Sequence, residues 1–402
     1  MKIVALTMAA LAVSGPALAE TIHVKPLIDA RLRYENVDQL GIANEADAVT
    51  LRLRTGFEAK YAKFSFLVES ETTLAISEKY NSGLNGKTAY PVVADPQNIE
   101  LNRIQLQYAG LPKTLITVGR QRINLDDQRF VGSVGWRDNE QTFDAARVEW
   151  SGIKNLKADV THAWSDRTIW GADGFGARLR AISGDNVFAN LAWKQKFGQL
   201  SGFAYLVDQD EAAVSGFKLS SQTYGARYAG SYPLSKKAKL TVAASYARQS
   251  DFHRNPNNYH ADYYLGEVGL EAYGWKALGG YEVLGNGGGV RLTSFQTPLA
   301  TLHKFQGWAD QFLTTPANGV RDAYGSLGYT KPKVGPFDSI GATAVYHDFR
   351  SDRLGQHYGH ELDLQLAAKR KRWNYLLKYA DYRADSFKTN TRKLWAQIEW
   401  IY

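Results

Sequence analysis

Residues 49–61 read VTLRLRTGFEAKY. Val49, Leu51, Leu53, Phe57 and Tyr61 fall on one parity, and Thr50, Arg52, Arg54, Glu58 and Lys60 on the other. A period of two is that of a β-strand, whose successive side chains point to opposite faces. LIDARLRYE (27–35) repeats it, with Ile28, Ala30, Leu32 and Tyr34 against Asp29, Arg31, Arg33 and Glu35. So do YGARYAGSY (224–232), HELDLQLAAK (360–369), RWNYLLKYADY (372–382) and LWAQIEWIY (394–402). Such faces ask for a different solvent on each side of the sheet.

The pattern predicts about eighteen strands. They lie near 27–35, 48–61, 63–77, 98–109, 113–121, 141–151, 155–166, 186–196, 199–209, 219–232, 238–249, 259–272, 274–285, 321–331, 338–350, 359–369, 372–383 and 391–402. Their connections alternate. Short ones such as YAKF, GLPK, SGIKN, KFGQ and AYGW take turns with long ones at 78–98, 122–140, 167–185 and 286–320. Short turns on one rim and long loops on the other are the signature of a transmembrane antiparallel β-barrel. A two-sheet sandwich has no reason to obey this alternation. The expected architecture is therefore an all-β outer-membrane barrel with short periplasmic turns and long extracellular loops.

MKIVALTMAALAVSGPALAE opens with Lys2, continues with an apolar run from Ile3 to Val13, and places Ala17 and Ala19 as a signal-peptidase site. Residues 1–19 are thus expected to be a signal peptide and 20–402 the barrel. Beyond them no stretch of about 18 apolar residues occurs, which excludes helical membrane spanning. Cysteine is absent, and 23 Tyr, 10 Trp and 17 Phe contrast with 2 Met. Aromatics at that level suit the interfacial girdles of a membrane barrel. The aromatic terminal strand should close the barrel against the first and lie at the periplasmic interface. It resembles the signal read by outer-membrane assembly machinery.

Function must be sought on the polar face. Arg31, Arg33, Arg52 and Arg54 point inward by parity, as do Arg103, Arg147, Arg227 and Lys378, while Asp29, Glu35, Glu58, Glu69, Glu267, Glu271 and Glu361 interleave with them. Two readings stand side by side: a ladder of structural ion pairs, and a positively biased constriction that concentrates anions. The net charge of +8 gives modest weight to the second. Loop 286–320 carries Phe295, Phe305, Trp308 and Phe312 beside Asp310, with Arg321 following it. That is too aromatic for a freely solvated loop, so it is expected to pack into the extracellular mouth and narrow it. Cations spread by strand parity, without a zinc or helix-turn-helix pattern, argue against nucleic acid as a partner. The sequence has no G-x-S-x-G or H-E-x-x-H. HYGH (357–360) and the acids of NLDDQR (124–129) lack a complete metal-ligand set. No enzyme activity, metal or cofactor is expected.

VGRQRINLDDQRFVGSVGWRDNEQTFDAARVEW (118–150) and SFQTPLATLHKFQGWADQFLTTPANGVRDAYGSLGY (294–329) resemble the alginate-export family of outer-membrane, porin-like proteins. The matching positions are Gly119, Arg120, Gln121, Arg129, Phe130, Trp136, Arg137, Phe143 and Asp144 in the first stretch. In the second they are Thr297, Pro298, His303, Gly307, Trp308, Ala309, Asp310, Thr315, Pro316, Asn318, Gly319 and Asp322. The resemblance implies a monomeric eighteen-stranded barrel with an electropositive pore, and a namesake that passes the polyuronate alginate outward. Arg120 is added to the pore-lining set on this ground, although strict parity beside Val118 aims it at lipid. The expected function is passive diffusion or export of anionic, sugar-like solutes, alginate or other uronate chains among them, through an arginine-lined pore in the outer membrane of a Gram-negative bacterium. A general small-solute porin is the alternative, and a barrel hydrolase the reading from another class.

Overall fold

The computed structural model describes residues 21–212 and 216–402. The expected signal peptide, 1–19, lies outside the described residues. The first nine strands are β1 (His23–Gln39), β2 (Ala46–Tyr61), β3 (Phe64–Lys79), β4 (Asn98–Tyr108), β5 (Thr114–Gln121), β6 (Thr142–Trp150), β7 (Leu156–Arg167), β8 (Ala181–Lys194) and β9 (Gly198–Val207). The second nine are β10 (Ser221–Ser235), β11 (Ala238–Asp251), β12 (His260–Ala272), β13 (Trp275–Leu284), β14 (Val320–Val334), β15 (Phe337–Arg350), β16 (His357–Arg370), β17 (Trp373–Ala384) and β18 (Thr391–Ile401). Each pairs antiparallel with its neighbours in sequence, and β1 pairs with β18. The sheet closes into an eighteen-stranded barrel. Closure leaves no unpaired edge, which a sheet in lipid requires.

Register turns the period-two pattern into two surfaces. Leu32 stands between Leu51 on β2 and Ile398 on β18, while Arg31 stands between Arg52 and Glu399. Leu32, Leu53, Leu74, Val118, Val160, Leu191, Leu327, Leu364 and Ile398 all face outward as an apolar belt. At the short-turn rim the belt ends in aromatic pairs: Phe64 with Tyr108, Phe197 with Tyr232, Trp275 with Tyr329, and Trp400 with Tyr402. Amphipathic rings collect at such an interface. The β12–β13 hairpin shows how tight this rim is. Its two loop residues, Tyr273 and Gly274, both have positive φ (55° and 89°), as a primed turn demands, and a Cβ on Gly274 would come within 2.7 Å of the Thr330 carbonyl oxygen.

The strands run longer than their apolar alternation. β1 spans 23–39 where the pattern shows 27–35, and β8 begins at 181 where it shows 186. Both faces of β1 are exposed from His23 to Pro26, and at its other end Val37 lies in a small buried cluster with Tyr80 and Val93 between polar neighbours, so neither extension shows the apolar alternation. The buried core sits inside the barrel. Phe143, Phe188, Tyr263, Phe349 and Tyr382 project from the wall and meet Phe295 and Phe312 from the β13–β14 connection.

A closed barrel of this kind is expected to migrate faster in an unheated detergent gel than after boiling. A single mobility, or a circular-dichroism spectrum dominated by helix, would count against the fold.

Candidate functional site in the barrel lumen

Two of the long connections fold inward and meet. The first, residues 122–141, descends from β5 and returns to β6 along the wall of β1–β4. There Asp138 takes two hydrogen bonds from Arg31 (2.6 and 3.1 Å), whose guanidinium also donates to the Arg137 carbonyl at 2.7 Å. Glu140 accepts from Asn102 and Arg122 at 2.6 and 2.5 Å and lies 3.5 Å from Arg54. Arg54 itself is paired with Glu71, and Arg52 with Asp29 and Glu399. Arg33 donates to Gln397 at 2.8 Å, stacks over Trp136 at 4.1 Å, and lies 3.8 Å from Asp95 of the β3–β4 connection. Asp95 in turn accepts the Asp138 backbone N–H at 2.7 Å.

All four arginines of β1 and β2 therefore point inward but are buried and matched by carboxylates. Burial works against ionised Asp138, yet Arg31 and Arg33 outweigh it and hold the carboxyl well below the usual range. For Glu140, burial is likewise overcome by Arg54 and Arg122, which bring it down to about 2. Asp95 goes the other way, raised by burial and by Asp138.

The second connection, between β13 and β14, is held by the opposite wall. Glu361 on β16 accepts the Ala309 N–H at 2.7 Å, and Asp363 accepts the Trp308 N–H at 3.2 Å. Gly307, at φ +79°, precedes them, and a Cβ there would collide with the Glu361 carboxylate. Lys378 on β17 lies 3.7 Å from the centre of the Trp308 ring and 4.3 Å from that of Trp136. His303 takes a hydrogen bond from the Lys378 ammonium at 2.7 Å and gives one to Asp310 at 2.8 Å. That tautomer is the neutral one. Burial and then Lys378 push His303 well below its ordinary value. Asp310 is held well below the carboxylate range, against burial, by Lys393 at 2.9 Å and by His303.

The segments also bind each other. Gly132 N–H donates to the Leu299 carbonyl at 2.9 Å, Arg137 reaches Asp310 at 2.9 Å, and Trp136 stacks on His303 at 4.4 Å. Arg129 donates to Thr297 (3.1 Å), Gln306 (3.0 Å) and Glu282 of β13 (2.7 Å), with Phe305 against its face. The result is a belt across the lumen, pinned to a basic wall at β1–β4 and to an acidic one at β13–β16. Glu361 stands four residues inside the outer end of β16, so the belt reaches well below the rim.

Among the remaining expected residues, Arg103, Arg147 and Arg227 face the lumen and are paired with Glu69 (2.7 Å), Asp159 (2.5 Å) and Asp127 (3.2 Å). Two stand elsewhere. Arg120 shares the outward parity of Val118 and is locked to Asp144 at 2.7 and 3.0 Å, with a third bond to the Leu101 carbonyl. Arg321 lies on the outward parity at the start of β14, half-exposed, and pairs with Asp352 at the rim. The pairing neutralises each charge where it leaves the lumen. Neither side chain belongs to the inner surface. Sequence reading missed the inward course of 122–141 and the carboxylates Asp95, Asp138 and Glu140, although the run WRDNE is a charge cluster beside a tryptophan.

Residues 27–172 match the family model described as alginate export. The match contains the basic wall and the whole first inward segment, whereas the second stretch of resemblance, 294–329, lies beyond it. No curated protein sequence matches the chain. Among solved structures it is similar to Pseudomonas aeruginosa OpdK bound to vanillate (11% identity, TM-score 0.70, covering 94% of this chain and 98% of that one). It is also similar to OccK9 of the same organism (13%, TM-score 0.71, 94% and 98%) and to Acinetobacter baumannii OccAB3 (13%, TM-score 0.70, 94% and 99%). The fold is that of outer-membrane porins. Together with the lipid-facing belt, it places this alginate-export-like barrel in the outer membrane of a Gram-negative cell.

Proposed function

We propose that the barrel is a passive channel for small anionic, sugar-like solutes. The observation that carries this reading is an excess of solvent-facing cations inside the periplasmic half of the lumen. Lys25, Lys60, Lys157, Lys194, Lys239, Lys276 and Lys369 all share the inward parity of their strands near the short turns and are exposed. Of the inward carboxylates at this level, Asp29 and Glu399 are committed to Arg52 and Asp159 to Arg147. Glu58 pairs with Lys60, Glu149 with Lys157, and Glu271 with Lys239 and Lys276, so that Lys25, Lys194 and Lys369 have no carboxylate within 4.0 Å among the described residues. A cleft with one sign of charge raises the local concentration of the opposite ion. Arg31, Arg33, Arg52 and Arg54 then act chiefly as the anchor of the inward segment, while Arg103, Arg147 and Arg227 add weaker attraction along the path.

The belt favours small solutes over a polymer, because a polyuronate strand would have to displace two hydrogen-bonded segments. The carboxylate vanillate, seen with OpdK, is of the size this reading requires. No covalent step is involved. The partners are outer-membrane lipid, the solute and the assembly machinery, with the chain acting as a monomer. Exposed contacts worth about 1 kcal/mol or less let the solute leave as well as enter. In planar bilayers under a KCl gradient the reversal potential should carry the sign of anion preference, increasingly so at low salt. Liposomes should swell faster in glucuronate than in glucose. Cation preference with equal swelling would overturn the reading in favour of a general porin.

A further inference from the structure

The lumen wall of β6–β9 carries a recess of about 520 Å³ that the belt roofs but does not fill. Its floor is the turn 151–155, its sides are Arg147, Lys157, Asp159, Asn190, Lys194 and Gln199, and its roof is Asn124–Asp126. We propose that this recess is a binding site for a carboxylate-bearing polyol of monosaccharide size. The inference rests on the anion-channel reading and assigns it a place.

The roof is fixed. Asp126 takes a left-handed conformation (φ 47°) that brings its carboxylate to Asn190 (2.7 Å) and Ser201 (3.0 Å) on the wall. Its charge is thereby engaged by two neutral donors and turned toward β8 and β9. Two of the four cations are also spoken for. Arg147 pairs with Asp159, and Lys157 holds Glu149 at 2.6 Å. The other two, Lys154 on the floor and Lys194 on the side, have no carboxylate within 4.0 Å among the described residues. They are tied into one frame, because the Lys194 N–H donates to the Asn155 carbonyl at 2.8 Å.

Free ammonium groups give the recess its sign, and the amides give it its class. Asn155 and Gln199 offer both donors and acceptors, which is what a row of hydroxyls needs. Leu125, Ile153 and Ala192 add a small apolar surface for the C–H face of a ring. Volume agrees, since small-molecule sites run from about 300 to 1,000 Å³. A simple halide would use the lysines and ignore the amides. A neutral sugar would do the reverse.

The test uses the full barrel in planar bilayers at low salt, with glucuronate, glucose and glucosamine as probes, against Lys154→Gln/Lys194→Gln. Both lysines are exposed, so the variant keeps its heat-modifiable mobility. Glucuronate should block the wild-type current transiently, and its apparent affinity should fall about tenfold in the double variant, with the glucose response unchanged. An anion-selective wild type that glucuronate does not block, or a variant blocked as tightly as wild type, would overturn this site and leave the channel reading standing. A wild type that prefers cations, or is blocked by glucosamine instead, would overturn both.

Discussion

Removal of residues 296–318 should raise single-channel conductance several-fold while the barrel stays closed and heat-modifiable. The deletion takes out the half of the belt that carries Phe305, Trp308 and Asp310, and it leaves every strand pairing intact. The cut ends can be joined, because the Phe295 N–H bonds the Gly285 carbonyl at 2.9 Å and Gly319 packs against the neighbouring Leu284 carbonyl. Its cost is local. Phe349 and Phe387 lose the Phe312 ring packed on them, worth about 2 kcal/mol for a ring of that size. Glu361, Asp363, Lys378 and Lys393 are left facing water, where they can be hydrated. Unchanged conductance would mean that the ion path avoids the belt.

The barrel was legible because lipid and water impose a two-residue period that a single chain displays directly. Leu51, Arg52, Leu53 and Arg54 announce their faces without reference to any other residue. Inward parity of Arg31 and Arg33 was legible for the same reason. Their partners were not. Asp138 is 107 residues from Arg31, and nothing in a period of two says which connection returns through the lumen. The second inward segment could be read because Phe295, Trp308 and Phe312 are too apolar for a hydrated loop. The first, with Asp138, Asn139 and Glu140, looks like an ordinary polar loop until the arginine wall supplies its counter-charges. Arg120 and Arg321 show the limit from the other side. Near a rim the outer face is no longer apolar, so a charge there carries no directional information, and each is settled instead by the cross-strand or rim carboxylate that meets it.

The clamp on that first segment should ignore acid until far below the usual carboxylate range, yet fail on a single neutral substitution. Asp138 and Glu140 are depressed in the folded protein. A depressed carboxyl contributes stability that is complete above its unfolded value, about 4, and is lost as pH falls through the folded value. For Glu140 that value is about 2. Asp95 has the opposite sign: its charge is disfavoured by the fold, so protonating it on acidification takes no stability away. Conductance is therefore expected to hold steady from neutral pH down to about 4 and to change only near pH 2. Asp138→Asn removes the charge at every pH and strands Arg31 beside Arg33 and Arg52 in a buried site. Breaking a buried pair from one side costs about 3–5 kcal/mol, more than the segment's remaining bonds to Thr73 and Asn102 replace. The variant should show at pH 7 the enlarged, noisy conductance that wild type shows only in strong acid. Trypsin should cut it after Arg129 or Arg137, bonds that wild type keeps buried. A variant with wild-type conductance and trypsin resistance would show that the segment is held by its neutral contacts and by Arg137–Asp310, with the arginine wall contributing little.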